Sequence, residues 1–148
     1  MRIAIGCDHA GFALKKEIVS LIESMGHAVK DMGAYEEVSV DYPDYARAVC
    51  EAVMAETVHK GILICGTGIG MSIAANKIRG IRAALCHDTF SARATREHND
   101  SNVLCMGQRV VGPGLARDIV KTWLEGEFAA GKHMARMDKV MALEKPCL

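Results

Sequence analysis

The chain carries no excess of charge of either sign, since its 148 residues include 18 Lys plus Arg and 18 Asp plus Glu. A formal net charge of zero gives no indication of a basic face for nucleic acid or for an anionic membrane. No apolar segment approaches the roughly 20 residues of a membrane-spanning helix. The charge of Asp8 interrupts the apolar N-terminus too early for a signal peptide. We therefore expect a cytoplasmic protein that binds neither nucleic acid nor membrane.

The sequence also lacks a C-x-x-C pair, and no two Cys or His have the close spacing of metal ligands. A structural zinc site is therefore not expected. The composition predicts free thiols rather than disulfides. Repeats, low-complexity tracts and long internal linkers are absent, so residues 1–148 are predicted to form a single domain. The six cysteines are Cys7, Cys50, Cys65, Cys86, Cys105 and Cys147.

Three glycines at alternate positions follow a short apolar run in the middle of the chain. Residues 62–64 (Ile-Leu-Ile) fit a strand that is buried on both faces, and Cys65 ends the run. A loop containing Gly66, Gly68 and Gly70 can surround an anion with its backbone N–H groups. A helix predicted over residues 72–76 would add its unpaired N–H groups. The stretch predicts a thiol at the edge of an anion-binding loop.

This loop does not match two common nucleotide-binding motifs. Met71 stands where the dinucleotide fingerprint G-x-G-x-x-G has its third Gly, and no Gly-Lys-Ser/Thr of a phosphate-binding P-loop follows. Glycine-rich turns between a strand and a helix also occur without a ligand, and a Cys at a strand end is often a packing residue. The residue types alone leave both a site and a plain turn open.

Apolar runs typical of strands alternate along the chain with segments of helical periodicity. Their alternation predicts an α/β fold: a three-layer αβα, Rossmann-like sandwich around a five-stranded parallel sheet, with an extra C-terminal helix. We expect the strand order 2-1-3-4-5, with a ligand crevice between the first and third strands. Strands are predicted over residues 2–7, 28–32, 62–64, 81–86 and 102–106, and helices over 12–25, 43–56, 72–76, 89–98, 113–126 and 134–144.

The crevice is expected to collect polar groups that follow strand and helix ends. A cysteine at a helix N-terminus favours its thiolate form, which makes Cys65 a candidate base or nucleophile. His98 could instead interact with the free carbonyls at its helix end, with Asn99 as the cap, and His9 could bridge backbone groups of its loop. The thiol, hydroxyl, carboxylate, two imidazoles and amide of this crevice are Cys65, Thr67, Asp8, His9, His98 and Asn99.

Six motifs that follow one another along nearly the whole chain resemble the type B ribose-5-phosphate isomerases. Galactose-6-phosphate and allose-6-phosphate isomerases are similar. The motifs are Gly6-Cys-Asp-His-Ala-Gly-Phe12, Asp41-Tyr-Pro43, Ile64-Cys-Gly-Thr-Gly-Ile-Gly-Met-Ser-Ile-Ala-Ala-Asn-Lys77, Gly80-Ile-Arg-Ala83, Arg96-Glu-His-Asn-Asp-Ser-Asn-Val103 and Gly107-Gln-Arg-Val-Val-Gly112.

The resemblance implies an aldose–ketose isomerase of the pentose phosphate pathway. Such an enzyme interconverts ribose 5-phosphate and ribulose 5-phosphate through an enediolate, without a metal or organic cofactor. Cys65 matches the base that moves a proton between C1 and C2, because Met71 stands where part of the family has a Glu. Thr67 and His98 match residues assigned to ring opening, with Asp8 beside them.

The resemblance also implies how the substrate is held. Backbone amides of Gly66, Gly68, Ile69 and Gly70 would stabilise the enediolate oxygen. Asn99 matches a ligand of a substrate hydroxyl. The residues that match the phosphate ligands are His9, Arg109, Lys132 and Arg136.

Lys132 replaces the usual Arg of the family, which keeps the charge but loses the bidentate fork. In similar enzymes Lys132 and Arg136 would belong to the partner subunit, so the resemblance implies a homodimer with shared active sites. Whether two dimers pair into a tetramer is left open. In a 2-1-3-4-5 sheet the fifth strand lies remote from Asp8, and a helix that follows it is expected to reach a neighbouring subunit.

Two other classes of protein remain open at this stage. A flavodoxin-like nucleotide- or flavin-binding module would also use a glycine-rich loop at this point, and purified protein would then show bound cofactor by absorbance. A catalytically silent sugar-phosphate sensor could keep the basic residues without needing the thiol of Cys65. A turnover assay separates such a sensor from an isomerase.

Overall fold

The computed structural model describes residues 1–144, in which five parallel strands alternate with six helices. The parallel α/β architecture predicted from the sequence is confirmed. The strands are β1 (Arg2–Cys7), β2 (Ala28–Asp31), β3 (Lys60–Cys65), β4 (Ala83–Leu85) and β5 (Val103–Gly107). The helices are α1 (Phe12–Ser24), α2 (Tyr42–Met54), α3 (Ile69–Ala75), α4 (Thr89–Asn99), α5 (Pro113–Glu125) and α6 (Lys132–Ala142).

The sheet separates two hydrophobic cores, because alternate residues of each central strand point to opposite faces. On one face, strand residues such as Ile5 and Ile64 pack with α1, α4 and α5. On the other face, residues such as Leu63 and Cys65 pack beneath α2 and α3. Helix α6 packs outside these layers against α4. None of the helices in the described part of the chain is both long and apolar enough to cross a membrane.

The strand order is β2-β1-β3-β5-β4, so the predicted order 2-1-3-4-5 is wrong. All five residues of β5 are buried, as a strand with neighbours on both sides requires. Strand β4 has only three residues, and the Leu85 side chain is 37% exposed, which suits the sheet edge. As a result, Gly107 at the end of β5 lies directly opposite Cys65 at the end of β3.

Helix α3 begins at Ile69, three residues before the predicted start at residue 72. Gly68 adopts a left-handed conformation with a φ of +76°, which turns the chain from β3 directly into α3. A Cβ at Gly68 would lie 2.6 Å from Leu85 Cδ1 and 2.7 Å from the Met106 carbonyl carbon. Glycine is therefore required at this position for two reasons, the sign of φ and the close approach of its neighbours.

The five cysteines within residues 1–144 are buried free thiols, and Cys147 lies outside the described residues. Burial raises the pKa of Cys7 to about 11 and that of Cys50 and Cys86 to about 12. Burial also raises the pKa of Cys105, which is completely enclosed. These four thiols are protonated at neutral pH, and they act as packing residues.

Candidate active site

Two loops meet at the carboxyl edge of the sheet, where β1 and β3 end side by side. The backbone N–H of Asp8 donates to the Ile64 carbonyl oxygen at 3.2 Å. The Asp8 carboxylate accepts a hydrogen bond from the Ala10 N–H at 2.9 Å, and its side chain is buried. A Cβ at Gly11 would overlap the Ile64 carbonyl group, so this glycine allows the close approach of the loop to β3. The structure thus brings Asp8 and His9 next to the loop that follows Cys65.

The thiol of Cys65 is held by the loop that it precedes. Its Sγ accepts a hydrogen bond from the Gly68 N–H at 3.1 Å, and only 5% of the residue is exposed. This hydrogen bond fixes the sulfur at the edge of the glycine-rich loop. The Cys65 carbonyl oxygen accepts the Gln108 N–H at 2.9 Å, which fixes the end of β3 against the segment after β5. Cys65 therefore has the surroundings of a base or nucleophile.

The N–H groups of this loop fall into two sets. Those of Gly68 and Ile69 are directed at Cys65 Sγ and Thr67 Oγ1, at 3.1 and 3.3 Å. The N–H of Gly70 lies in the first turn of α3, where N–H groups have no partner within the helix. Among Gly68, Ile69 and Gly70, three of the four predicted donors, Gly70 is the one placed to meet an oxyanion without breaking another hydrogen bond.

Arg109 lies over the loop because β5, rather than β4, is the neighbour of β3. Its backbone N–H donates to the Gly66 carbonyl oxygen at 3.0 Å. A Cβ at Gly66 would lie 3.2 Å from Arg109 Nη1 and 3.5 Å from Ala10 Cβ. The His9 Nδ1 atom is buried and has no hydrogen-bond partner within residues 1–144. An exposed guanidinium and a neighbouring imidazole suit a phosphate at this edge.

Two residues that hold this site together were not predicted from the sequence. Gln108 Oε1 accepts the Leu14 N–H of α1 at 2.8 Å, so Gln108 joins the segments that follow β1, β3 and β5. The ring of Tyr42 lies against Gly70, since a Cβ there would be 2.7 Å from Tyr42 Cζ. Both residues belong to the motifs that carry the family resemblance, and those motifs were the signal available.

His98 and Asn99 lie at the opposite edge of the sheet from Cys65. The prediction that one chain collects them with Cys65 in a single crevice is therefore wrong. Helix α4 ends at Asn99, and the chain then enters β5 at Val103, whose partner on β3 is Gly61. Cys65 is four residues further along β3 (61 to 65), or ~13 Å at ~3.3 Å per residue. Helix α4 connects two parallel strands, β4 and β5. The chain must therefore run along α4 from the carboxyl edge of the sheet back to its amino edge, and His98 and Asn99 lie at the end of that helix.

A second group of polar residues surrounds His98 at this amino edge. The rings of His98 and His133 stack with centroids 4.3 Å apart and planes inclined by 14°. Lys132 and Arg136 flank His133 on α6, and their spacing of four residues puts them on one face of that helix. Helix α6 lies near the amino ends of the strands because it packs against α4. The predicted reason, that β5 is the outermost strand of the sheet, is wrong, because β5 lies between β3 and β4.

The chain therefore carries two incomplete groups of site residues. The thiol group lies at the carboxyl edge and consists of Asp8, His9, Cys65, Thr67, Gly66–Gly70 and Arg109. The basic group lies at the amino edge and consists of His98, Asn99, Lys132, His133 and Arg136. Within residues 1–144, no group of three or more His, Cys, Asp or Glu is arranged to hold a metal ion.

A buried thiol beside a glycine-rich loop, at the crevice of a parallel sheet, defines an α/β enzyme for a small anionic substrate. The chain belongs to the ribose/galactose isomerase family, since the model described as "Ribose/Galactose Isomerase" matches residues 3–140.

Individual members of the family confirm the resemblance to type B ribose-5-phosphate isomerases. Ribose-5-phosphate isomerase B of Escherichia coli (strain K12) is 49% identical over 144 residues, which cover 97% of each chain. The structure of Clostridium thermocellum ribose-5-phosphate isomerase B is 51% identical, with a TM-score of 0.96 and 97% of each chain covered. Ribose-5-phosphate isomerase B of Mycoplasma genitalium, solved with bound ribulose-5-phosphate, is 38% identical. Its TM-score is 0.94, and the match covers 99% of this chain and 97% of that chain.

Proposed function

We propose that this chain is a single isomerase domain over residues 1–148 that interconverts ribose 5-phosphate and ribulose 5-phosphate in the pentose phosphate pathway. The observation that carries the proposal is Cys65 Sγ, which sits 3.1 Å from the Gly68 N–H at the edge of the glycine-rich loop. The Mycoplasma genitalium protein of the same fold was solved with bound ribulose-5-phosphate, which supports this choice of sugar.

The thiolate of Cys65 removes the proton from C2 of the open-chain aldose and returns it to C1. A second proton moves from O2 to O1, so the two sugars contain the same atoms. Negative charge develops on an oxygen of the enediolate between these steps. The N–H of Gly70, in the first turn of α3, stabilises that charge directly. The N–H groups of Gly66, Gly68 and Ile69 also contribute, those of Gly68 and Ile69 once they turn from their present partners to the oxygen.

Ring opening and phosphate binding use residues of both groups. Thr67 and His98 open the furanose ring, and Asp8 lies beside them, while Asn99 binds a substrate hydroxyl. The phosphate is bound by four basic residues, His9 and Arg109 of the thiol group and Lys132 and Arg136 of the basic group. The positive charges of Arg109, Lys132 and Arg136 complement the phosphate dianion, and the His9 imidazole adds an N–H donor.

Each complete active site is built from two subunits, because one chain cannot bring its own two groups together. The thiol group and the basic group lie at opposite edges of a rigid sheet, about 13 Å or more apart. In a symmetric dimer the same pair of surfaces meets twice. The thiol group of one subunit then receives the basic group of the other, which gives two shared sites.

An apolar surface beside the thiol group supports this homodimer. Ile69 and Ile73 on α3 are 50% and 57% exposed, and Phe90 at the start of α4 is 75% exposed. Leu85 on the edge strand β4 continues the surface. Exposed apolar side chains on neighbouring elements are costly in water, and a second copy of the chain would bury them. We also propose a cytoplasmic location without nucleic-acid or membrane partners, which the zero net charge supports.

A turnover panel tests the proposed reaction. We expect the purified chain to convert ribose 5-phosphate with a higher kcat/KM than allose 6-phosphate or galactose 6-phosphate. The Cys65→Ala variant, purified in the same way, controls for contaminating isomerase from the host. A higher kcat/KM for a hexose phosphate would contradict the proposed substrate. Binding without turnover of any sugar would indicate a sensor, and a bound chromophore would indicate a cofactor module.

The role of His98 in ring opening can be tested by comparing ribose 5-phosphate, which is cyclic, with ribulose 5-phosphate, which is open-chain. We expect His98→Asn to slow the conversion of ribose 5-phosphate by a factor of about 100, the lower end for loss of a proton-transfer group. Ribulose 5-phosphate cannot close a furanose ring, so its proton-transfer step should slow much less. Single-turnover measurements in both directions decide between these outcomes. An equal loss from both substrates would show that His98 does not act in ring opening.

A further inference from the structure

His133 contacts His98 directly, although the proposed reaction gives it no role. The two imidazoles stack with centroids 4.3 Å apart and an interplanar angle of 14°. They come from different helices, α4 and α6, so the stack is a tertiary contact rather than a consequence of helical spacing. Aromatic rings in an offset stack at this separation stabilise one another beyond the area that they bury.

The turn before α6 has an uncommon backbone conformation, and it positions His133 against the ring of His98. Ala130 has a φ of +51°, and Gly131 follows with a φ of +53°. A positive φ is unfavourable for a residue with a Cβ, and it persists only where the surrounding structure imposes it. The Ala129 N–H donates to the Glu97 carbonyl oxygen at 3.0 Å, which ties this turn to the end of α4 beside His98.

We propose that His133 is a positioning residue, whose ring fixes the plane of the His98 imidazole for ring opening in the partner's active site. The inference rests on the proposed function, because it needs His98 to act on the cyclic sugar. Proton transfer depends on the alignment of donor and acceptor, and a histidine at an exposed helix end has little else to orient it. The stack with His133 supplies that orientation.

The surroundings of His133 favour its uncharged form. Desolvation, followed by the positive charges of His98, Lys132 and Arg136, lowers the pKa of His133 below its usual value of about 6.5. His133 is therefore uncharged at neutral pH and does not repel its neighbour. Because α6 also carries Lys132 and Arg136, the same helix that binds the phosphate holds the ring that orients His98.

Three variants test the inference by single-turnover conversion of ribose 5-phosphate and ribulose 5-phosphate. His133→Ala removes the ring, and His133→Phe keeps a flat ring without nitrogen atoms. Met134→Ala, at an exposed position of the same helix, is the control for α6. Circular dichroism and the oligomeric mass confirm that each variant folds and assembles. If His133→Ala does not fold, His133→Leu fills the space without a stacking ring and replaces it.

We expect His133→Ala to slow ribose 5-phosphate conversion by about three- to tenfold, the range that corresponds to loss of one aromatic pair. The rate of proton transfer from ribulose 5-phosphate and the Kd of either substrate should change by less than about twofold, since Lys132 and Arg136 remain in place. His133→Phe should restore the rate to within about twofold of wild type, because it restores the stack.

Three outcomes overturn the positioning role. The first is an equal loss of the proton-transfer rate in both directions for His133→Ala, and the second is no loss at all. The third is a His133→Phe variant as slow as His133→Ala, which would mean that the ring nitrogens and not the stack are needed. A direction-dependent loss in His98→Asn without one in His133→Ala rejects this inference alone. A wild-type chain without isomerisation rejects both this inference and the proposed function.

Discussion

Replacement of Cys65 by Ser is expected to lower kcat by a factor of about 100 or more, in the range lost with a positioned proton-transfer group. Serine keeps the size of the side chain and can still accept the Gly68 N–H that bonds Cys65 Sγ at 3.1 Å. A hydroxyl is a far weaker acid than a thiol, so it does not supply the base at neutral pH. Folding and substrate binding should be nearly unchanged, because none of the phosphate ligands is altered.

The measurement is steady-state turnover of ribose 5-phosphate together with proton exchange at C1 of ribulose 5-phosphate in deuterated water. Ribulose 5-phosphate needs no ring opening, so loss of this exchange in Cys65→Ser would locate the defect in the proton-transfer step. Cys50→Ala is the matched control, since Cys50 is a buried thiol in the same core as Cys65 and belongs to neither group of site residues. Activity of Cys65→Ser within a few-fold of wild type would exclude Cys65 as the base.

Mixing two inactive variants is expected to restore about a quarter of wild-type activity. Cys65→Ala damages the thiol group, and Arg136→Ala damages the basic group at the opposite edge of the sheet. If subunits redistribute freely, half of the dimers contain one chain of each kind. Each such dimer has one intact shared site and one doubly damaged site, so about a quarter of all sites are intact.

A second mixture distinguishes shared sites from other kinds of rescue. Cys65→Ala and Arg109→Ala both damage the thiol group, because Arg109 Nη1 lies over Gly66 beside Cys65. Every site in a dimer of these two chains keeps one damaged residue, so their mixture should remain inactive. Mass spectrometry confirms subunit exchange in both experiments. Exchange without recovered activity in the Cys65→Ala and Arg136→Ala mixture would show that Arg136 serves the Cys65 of its own chain.

The sequence by itself determined the class of fold and one of the two groups of site residues. Alternating strand and helix periods are local patterns, and they imply parallel strands whose carboxyl ends share one edge. Asp8 and Cys65 each follow such a strand, so their neighbourhood could be predicted without knowing the full strand order. The family resemblance also identifies the motif Gly107-Gln-Arg109 as part of the site. The predicted strand order does not explain its position, because β5 and not β4 is the neighbour of β3.

Only the tertiary structure decided which strand lies inside the sheet and where the basic residues lie. The apolar runs that form β4 and β5 look alike in sequence, and their order depends on which run buries more surface between β3 and the helices. That choice places Arg109 beside Gly66. The stack of His98 on His133 depends likewise on the docking of α6 against α4. Strand pairing and helix docking join residues far apart in the chain, and the local periodicity of a sequence does not encode them.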